Sequence, residues 1–380
     1  MLQCLVAAVR PLRVKELAEV LAFDFSPEGT PKLNPDWRWE DQEEAVMSAC
    51  SSLIVVFDDV DSQIVQFSHF SVKEYLMSTR LVESSTDVSY YHIPLELAHT
   101  TLAQACLGVL LRLDDSDRID RDKIRAFPLA KYAAEHWVKH ARFENVSSCI
   151  KDGMECLFDA DKPHYATWLW VYDEDRSGHS MRTMFPDKPR AVPLYYAALF
   201  GFHDLTAHLL AEHPDDVHAR GDSYVTPLHA SARHGHVEVF LLLVKHFPNL
   251  DIKGYFDQTP LHLSSKGGHL VIGKQLLDLD ANVNARDVHG WTPLYAAAVY
   301  GQVDFARMLL ERGALPDAPN VNGWTPLHIA SVNRHVDVVR LLLDHGANPN
   351  VCDKTGRTPS DGASRNGWLE IVQLLSSPRP

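Results

Sequence analysis

A four-residue phrase returns at a fixed interval through the second half of the chain. Thr226-Pro227-Leu228-His229, Thr259-Pro260-Leu261-His262, Thr292-Pro293-Leu294-Tyr295 and Thr325-Pro326-Leu327-His328 each begin 33 residues after the one before. Thr358-Pro359 keeps the interval, and Val192-Pro193-Leu194-Tyr195 precedes the series by 34. A period of this length marks one supersecondary unit copied along the chain. Such a unit cannot bury its apolar face alone, so a continuous core forms only by stacking neighbours.

The unit from Asp287 to Ala314 shows how the copies are built. Asp287 and Gly290 suit a tight turn. Thr292 is placed as an N-cap, with Pro293 at the first helical position, where a missing N–H costs nothing. Ala297 and Ala298 allow close approach of paired helices, and Gly301 ends the first helix in the left-handed conformation. Val303, Phe305, Met308, Leu309 and Leu310 form the apolar stripe of a second helix that Gly313 ends. In the next unit Arg334 stands where Gly301 stood, which costs on the order of 1 kcal/mol for a positive φ. The last unit has Ser360-Asp361-Gly362 at the head of its first helix and keeps Trp368, Ile371, Val372, Leu374 and Leu375, as a cap with a polar outer side would. The first, from about Asp187, lacks the turn residues. Six units result, the outer two degenerate.

These residues and this period resemble ankyrin repeats over about half the chain. The resemblance implies an α-solenoid that binds a protein partner on a concave face, through turn tips and the ends of first helices. Those positions fall on Arg233, His234, Tyr255, Phe256, Gln258, His289, Trp291, Tyr300, Asn322, Trp324 and Asn333, and on Asp222 and Ser223 of the first tip. Exposed Trp and Tyr are the usual interface anchors. The competing reading has Trp291 and Trp324 covering the neighbouring turn and Thr-Pro ring. His229, His262 and His328 take a position whose imidazole, by the same resemblance, bonds to neighbouring backbone. They lie one per repeat, so they cannot share a metal ion.

The first half reads differently. Arg10-Pro-Leu-Arg-Val-Lys-Glu-Leu-Ala18 opens a helix, and Asp41 to Ser51 forms another. Ser52 to Phe57 and Gln63 to Ser68 are strand-like around a turn at Asp58 to Asp61. His69 to Leu76 is then helical, with Ser71 and Glu74 placed for a capping box. With the apolar Met1–Arg10 stretch as the first helix, the order is that of a winged helix. Arg10 to Ala18, Ser51 to Val55 and Phe67-Ser-His-Phe-Ser-Val-Lys-Glu-Tyr-Leu76 resemble the winged-helix segment of NACHT-type signalling ATPases, particularly fungal NACHT–ankyrin proteins of the NOD-like receptor (STAND) type. The resemblance implies that His69 senses a bound nucleotide in a closed state. The chain carries no Gly-x4-Gly-Lys-Ser/Thr loop, so no phosphate cradle accompanies His69. An ATPase core is expected before residue 1, and the abrupt amphipathic start fits a piece of a longer architecture. Acidic residues at Asp41 to Glu44 oppose phosphate contact by the third helix, against DNA binding.

Between the two lies a helical, aromatic stretch: Ala98 to Leu113, then Pro128 to His140, Cys149 to Phe158 and Ala166 to Tyr172. Asp114 to Asp117 ends the first of these. His136 and His140 have an i, i+4 zinc spacing but no third ligand, and read as a solvated edge beside Trp137. Residues 176–190 read as a loop. Within it, Gly178-His-Ser-Met-Arg182 lacks the second glycine and preceding strand of a nucleophile elbow. The net charge of −14 with no basic block argues against nucleic acid and anionic membrane. No stretch reaches about 18 apolar residues, and the first ten residues lack the leading charge of a signal peptide. Six scattered cysteines suit a reducing cytoplasm.

The sequence therefore predicts a mainly α chain: a winged helix over 1–90, a helical connector over 91–186, and ankyrin repeats over 187–380. Its predicted role is partner binding in the sensor or regulatory part of a NACHT–ankyrin receptor. It is predicted to be no enzyme, to hold no cofactor or metal, to span no membrane, and to oligomerise only within a full-length receptor. A nucleotide-regulated fragment using His69, and a DNA-binding winged helix, are the alternatives.

Overall fold

In the computed structural model of the chain every Thr-Pro pair of the series opens a helix. The structure describes residues 1–25, 31–37, 41, 44, 46–48, 52–59, 62–78, 81, 91–113, 124, 126–171, 191–221 and 225–376. The expectations for Asp222, Ser223, Asp114 to Asp117, the 176–190 loop and Gly178 to Arg182 lie outside the described residues. The chain divides into two units, Met1–Pro193 and Leu194–Pro380.

The first unit opens with α1 (Leu2–Ala7), β1 (Leu12–Arg13) and α2 (Val14–Leu21). The short β2 (Phe23–Asp24) and β3 (Lys32–Leu33) pair with each other. Residues 44 and 46–48 are helical, and the Asp41 carboxylate accepts the Glu44 N–H at 3.0 Å, so the acid at the head of this helix is its cap. Then come β4 (Ile54–Asp59), β5 (Ser62–Phe67) and α3 (Phe70–Leu76). The sheet runs β1-β5-β4, antiparallel throughout, with Leu12 opposite Val65 and Ile54 opposite Phe67. This is a winged helix.

Two details depart from the sequence reading. Asp58 and Asp59 do not turn; they stay in β4, opposite Gln63 and Ser62. Both are exposed on an edge strand, where charge discourages further pairing. The cap of α3 is His69 and not Ser71: His69 Nδ1 accepts the Ser71 N–H at 3.2 Å and lies 2.7 Å from the Ser71 hydroxyl.

The same unit continues through α4 (Leu95–Leu110), α5 (Ala130–Ala141), α6 (Val146–Cys149), α7 (Lys151–Phe158) and α8 (His164–Val171). Helix α4 packs on both α1 and α5, so the winged-helix residues and the helices after them share one core. Its densest part is aromatic. Trp137 and Trp168 meet edge to face at 5.4 Å, Phe158 lies 5.5 Å from Trp168, and all three are fully buried. The Trp168 indole donates to the Ala134 carbonyl at 3.3 Å, satisfying the polar atom that burial of a Trp brings inside.

The second unit contains six helix pairs among the described residues. They are α9 and α10 (Pro193–Phe200, His203–Glu212), α11 and α12 (Pro227–His234, Val237–Leu243), and α13 and α14 (Pro260–Gly267, Leu270–Asp278). Then follow α15 and α16 (Pro293–Tyr300, Val303–Glu311), α17 and α18 (Pro326–Val332, Val336–Asp344), and α19 and α20 (Pro359–Arg365, Leu369–Ser376). From α11 onward, first helices pack on first helices and second on second. Leu228, Leu261, Leu294 and Leu327, the third residue of each full phrase, are all fully buried. Phe305 and Leu309 are buried in the seam of α16, while Val303, Met308 and Leu310 are half-covered. Gly301 holds φ +70° as expected, and Arg334 adopts φ +63° in its place. The Arg334 guanidinium lies 4.9 Å over the Trp368 ring, a cation–π contact that offsets part of the strain. On the last helix Leu369 is exposed.

Candidate protein-binding face

The repeated histidine of the phrase sets the geometry of each turn. His229 Nδ1 accepts the Thr226 N–H at 3.3 Å and sits 2.9 Å from the Thr226 hydroxyl. Its Nε2–H donates to the Ile252 carbonyl of the following turn at 3.1 Å. His262 repeats the pattern onto Trp291 O and His328 onto Arg357 O, at 2.9 and 3.1 Å. One ring thus caps its own helix and ties it to the next turn. That double duty requires a neutral imidazole with the proton on Nε2. Burial lowers all three pKa values, that of His229 to about 4. Tyr295 fills the position in one repeat, and its hydroxyl accepts from the Asn320 amide at 3.2 Å.

A second row of residues was not singled out from the sequence. His236, His269, Gln302 and His335 precede the second helices at the same 33-residue interval. Their side chains donate back to Leu199 O, Arg233 O, Lys266 O and Val299 O of the preceding repeat, at 2.9 to 3.2 Å. The period itself was the signal that could have found them.

The turn tips are joined by backbone. Val288 N–H donates to Phe256 O, Val321 N–H to His289 O and Lys354 N–H to Asn322 O, at 2.9 to 3.1 Å. In the tips that begin at Asp287, Asn320 and Asp353 the turn carboxylate or amide points inward. Asp287 accepts from the His289 and Trp291 amides, and Asn320 from those of Asn322 and Trp324. The Asp353 carboxyl is held well below the usual range, chiefly by the Arg357 N–H and further by Thr355 and the Trp324 indole. The tips are therefore fixed against one another before any ligand arrives.

On this ladder Tyr255 and Phe256 are 52% and 45% exposed and Val288 and Val321 49% and 48%, while Tyr300 at the end of α15 is 52% exposed. Tyr255 and Phe256 rings meet at 3.9 Å, and Phe256 reaches His289 at 5.4 Å. Phe256 and Asp257 both hold positive φ, and Lys253 pairs with Asp257 at 2.8 Å. Arg233, His234, His289, Asn322 and Asn333 are exposed as well, the Asn333 amide donating to Val299 O.

Three sequence-derived positions differ from a simple exposed row. Gln258 is buried; its amide N–H reaches Asp287 at 3.2 Å and its carbonyl accepts from Lys266 at 2.9 Å, so it braces the tip from beneath. Trp291 and Trp324 are half-buried. Trp291 packs on Tyr295 at 4.9 Å, and Trp324 stacks near His328 while its indole donates to Asp353 at 3.0 Å. Trp324 thus reaches the neighbouring turn, whereas the ring contacts of Trp291 lie within its own repeat.

His69 is an exposed helix cap. His140 is fully buried and not at a solvated edge, because the inward face of α5 carries it. It lies 2.9 Å from His99 Nδ1 on one side and 2.9 Å from the Tyr132 hydroxyl on the other. Among the described residues no three His, Cys, Asp or Glu side chains form a metal-binding group, and no helix is long and apolar enough to cross a membrane.

Comparison with known proteins agrees with this division. Residues 248–320 and 315–379 match the family model for ankyrin repeats in three copies, and residues 224–255 that for a single ankyrin repeat. Residues 1–88 match the model described as GPI inositol-deacylase, winged helix domain. The azaphilone pigments biosynthesis cluster protein L of Monascus ruber is 30% identical over 256 residues, 62% of this chain and 52% of that protein. Alpha-latrocrustotoxin-Lt1a of Latrodectus tredecimguttatus is 38% identical over 53 residues, 14% of this chain and 4% of the toxin. The chain thus spans about half the length of the first relative and a small fraction of the second. The C-terminal half consists of ankyrin repeats, a non-enzymatic protein-interaction module, behind a winged-helix domain of the GPI inositol-deacylase type.

Proposed function

We propose that this chain recognises a protein partner through the turn tips and first-helix ends of its repeats, as the sensor or regulatory part of a NACHT–ankyrin signalling receptor in the cytoplasm. The observation that carries the reading is the row of solvent-facing Tyr255, Phe256, Val288 and Val321 on tips already locked together by backbone hydrogen bonds, with Tyr300 exposed at the end of α15. Preorganised apolar and aromatic side chains lose little entropy on binding. Cys4, Cys106, Cys149, Cys156 and Cys352 are free thiols, in keeping with a reducing compartment. The winged helix serves the receptor by packing against the helices that follow it, and His69 contributes as a helix cap. No catalytic step enters this role.

The test compares the full chain with a Tyr255→Ala/Phe256→Ala/Tyr300→Ala variant as bait in partner capture. The triple variant should retain its circular dichroism and thermal transition and lose the partner at least tenfold. Unchanged binding by a folded triple variant would remove this face from the account.

A further inference from the structure

We propose that the same face takes an extended acidic peptide segment with an apolar residue near its middle; this rests on the repeats being the binding face. The last residues of the first helices, with their C-caps, form a band of fifteen positions: 233–235, 266–268, 299–301, 332–334 and 365–367. In a chain with 50 Asp and Glu against 36 Lys and Arg, this band holds no acid. It holds Arg233, Lys266, Arg334 and Arg365, with Val299 and Tyr300 between the basic pairs.

The acids of the neighbouring tips are turned away. Asp287 and Asp353 are buried in their own turns, and Asp257 is held by Lys253. The exposed Asp361 at the head of α19 accepts from its own Thr358, and the exposed acids Asp304, Glu311, Asp337 and Glu370 lie on the second helices. Asp278 and Glu370 pair there with Arg312 and Arg340. Arg233 makes no ion pair among the described residues. Lys266 is half-buried, its ammonium donating to the neutral Gln258 carbonyl, and desolvation lowers its pKa more than the nearby Asp287 charge raises it. A carboxylate arriving beside Lys266 would restore the charge balance that burial has disturbed.

Spacing narrows the ligand further. Packed helices lie about 10 Å apart, and an extended chain advances about 3.3 Å per residue. One repeat therefore corresponds to about three ligand residues. Reading along the band gives carboxylates at about ligand positions 1, 4, 10 and 13, with an apolar side chain near 7, opposite Val299 and Tyr300. Nucleic acid is the poorer fit, because its closely spaced phosphates call for a continuous basic surface.

The experiment is selection of random thirteen-residue displayed peptides on the full chain and on an Arg233→Glu/Lys266→Glu/Arg365→Glu variant. On the unaltered chain the selected peptides should be enriched in Asp and Glu three residues apart around an apolar residue. They should lose at least tenfold in affinity on the charge-reversed variant and weaken with added salt. Peptides without acidic excess, or equal affinity for both proteins, would overturn the proposal. So would tighter binding of duplex DNA or anionic vesicles than of the selected peptides. If non-acidic peptides lose binding in the Tyr255→Ala/Phe256→Ala/Tyr300→Ala variant, the face stands and only its acidic ligand falls. If no selected peptide depends on those aromatics, both readings fall.

Discussion

Gly301 and Gly313 share a positive φ, +70° and +86°, but answer to different constraints. A Cβ on Gly301 would meet the His335 ring at 2.6 Å, whereas one on Gly313 would meet nothing within 4 Å. Gly313→Ala should cost about 1 kcal/mol, the conformational term alone. Gly301→Ala should cost more, because it also pushes His335 off the Val299 carbonyl; urea midpoints of the two variants measure the gap. Acid should act on the capping histidines. The folded state keeps His229 neutral down to about pH 4, while the unfolded chain protonates it near 6.5. The unfolded state then binds the extra proton, so stability is complete above about 6.5 and falls toward pH 4. The slope is about 1.4 kcal/mol per pH unit per such group. Denaturation followed across that range should show the loss, and a flat profile would count against neutral capping. At this scale the Thr-Pro-Leu-His phrase announced its own cap. The burial of Gln258 was not legible, since Asp287, in the next repeat, becomes its neighbour only once repeats stack.

Elements were most readable where one pattern ran long enough to show a period. The first helices of the repeats fall where Pro starts and Gly stops them, with Arg334 as the exception the stacking tolerates. Strand β1, two residues long, has no alternation to detect; only Leu12 meeting Val65 in space makes it a strand. Likewise β4 runs through Asp58 and Asp59, residues that propensity assigns to turns, because β5 supplies the pairing. At the next junction, His69→Ala should remove the imidazole that accepts the Ser71 N–H. The expected cost is about 1 kcal/mol, read as faster amide exchange at residues 71–73 with partner binding unchanged. A loss of partner binding would give His69 a role beyond capping.

Across the whole molecule the two halves were legible to different degrees. The array declared itself by period, whereas the core of the helices that follow the winged helix rests on Trp137, Phe158 and Trp168 converging from α5, α7 and α8. No local pattern records such a meeting. Because each repeat contacts only its neighbours, the binding face depends on the stack and not on any one unit. Amide hydrogen exchange of the full chain with and without its captured partner tests this most directly. The account predicts that protection on binding concentrates at residues 255–256, 288–289, 321–322 and 299–300. Protection confined to the second helices, or to residues 1–171, would contradict it.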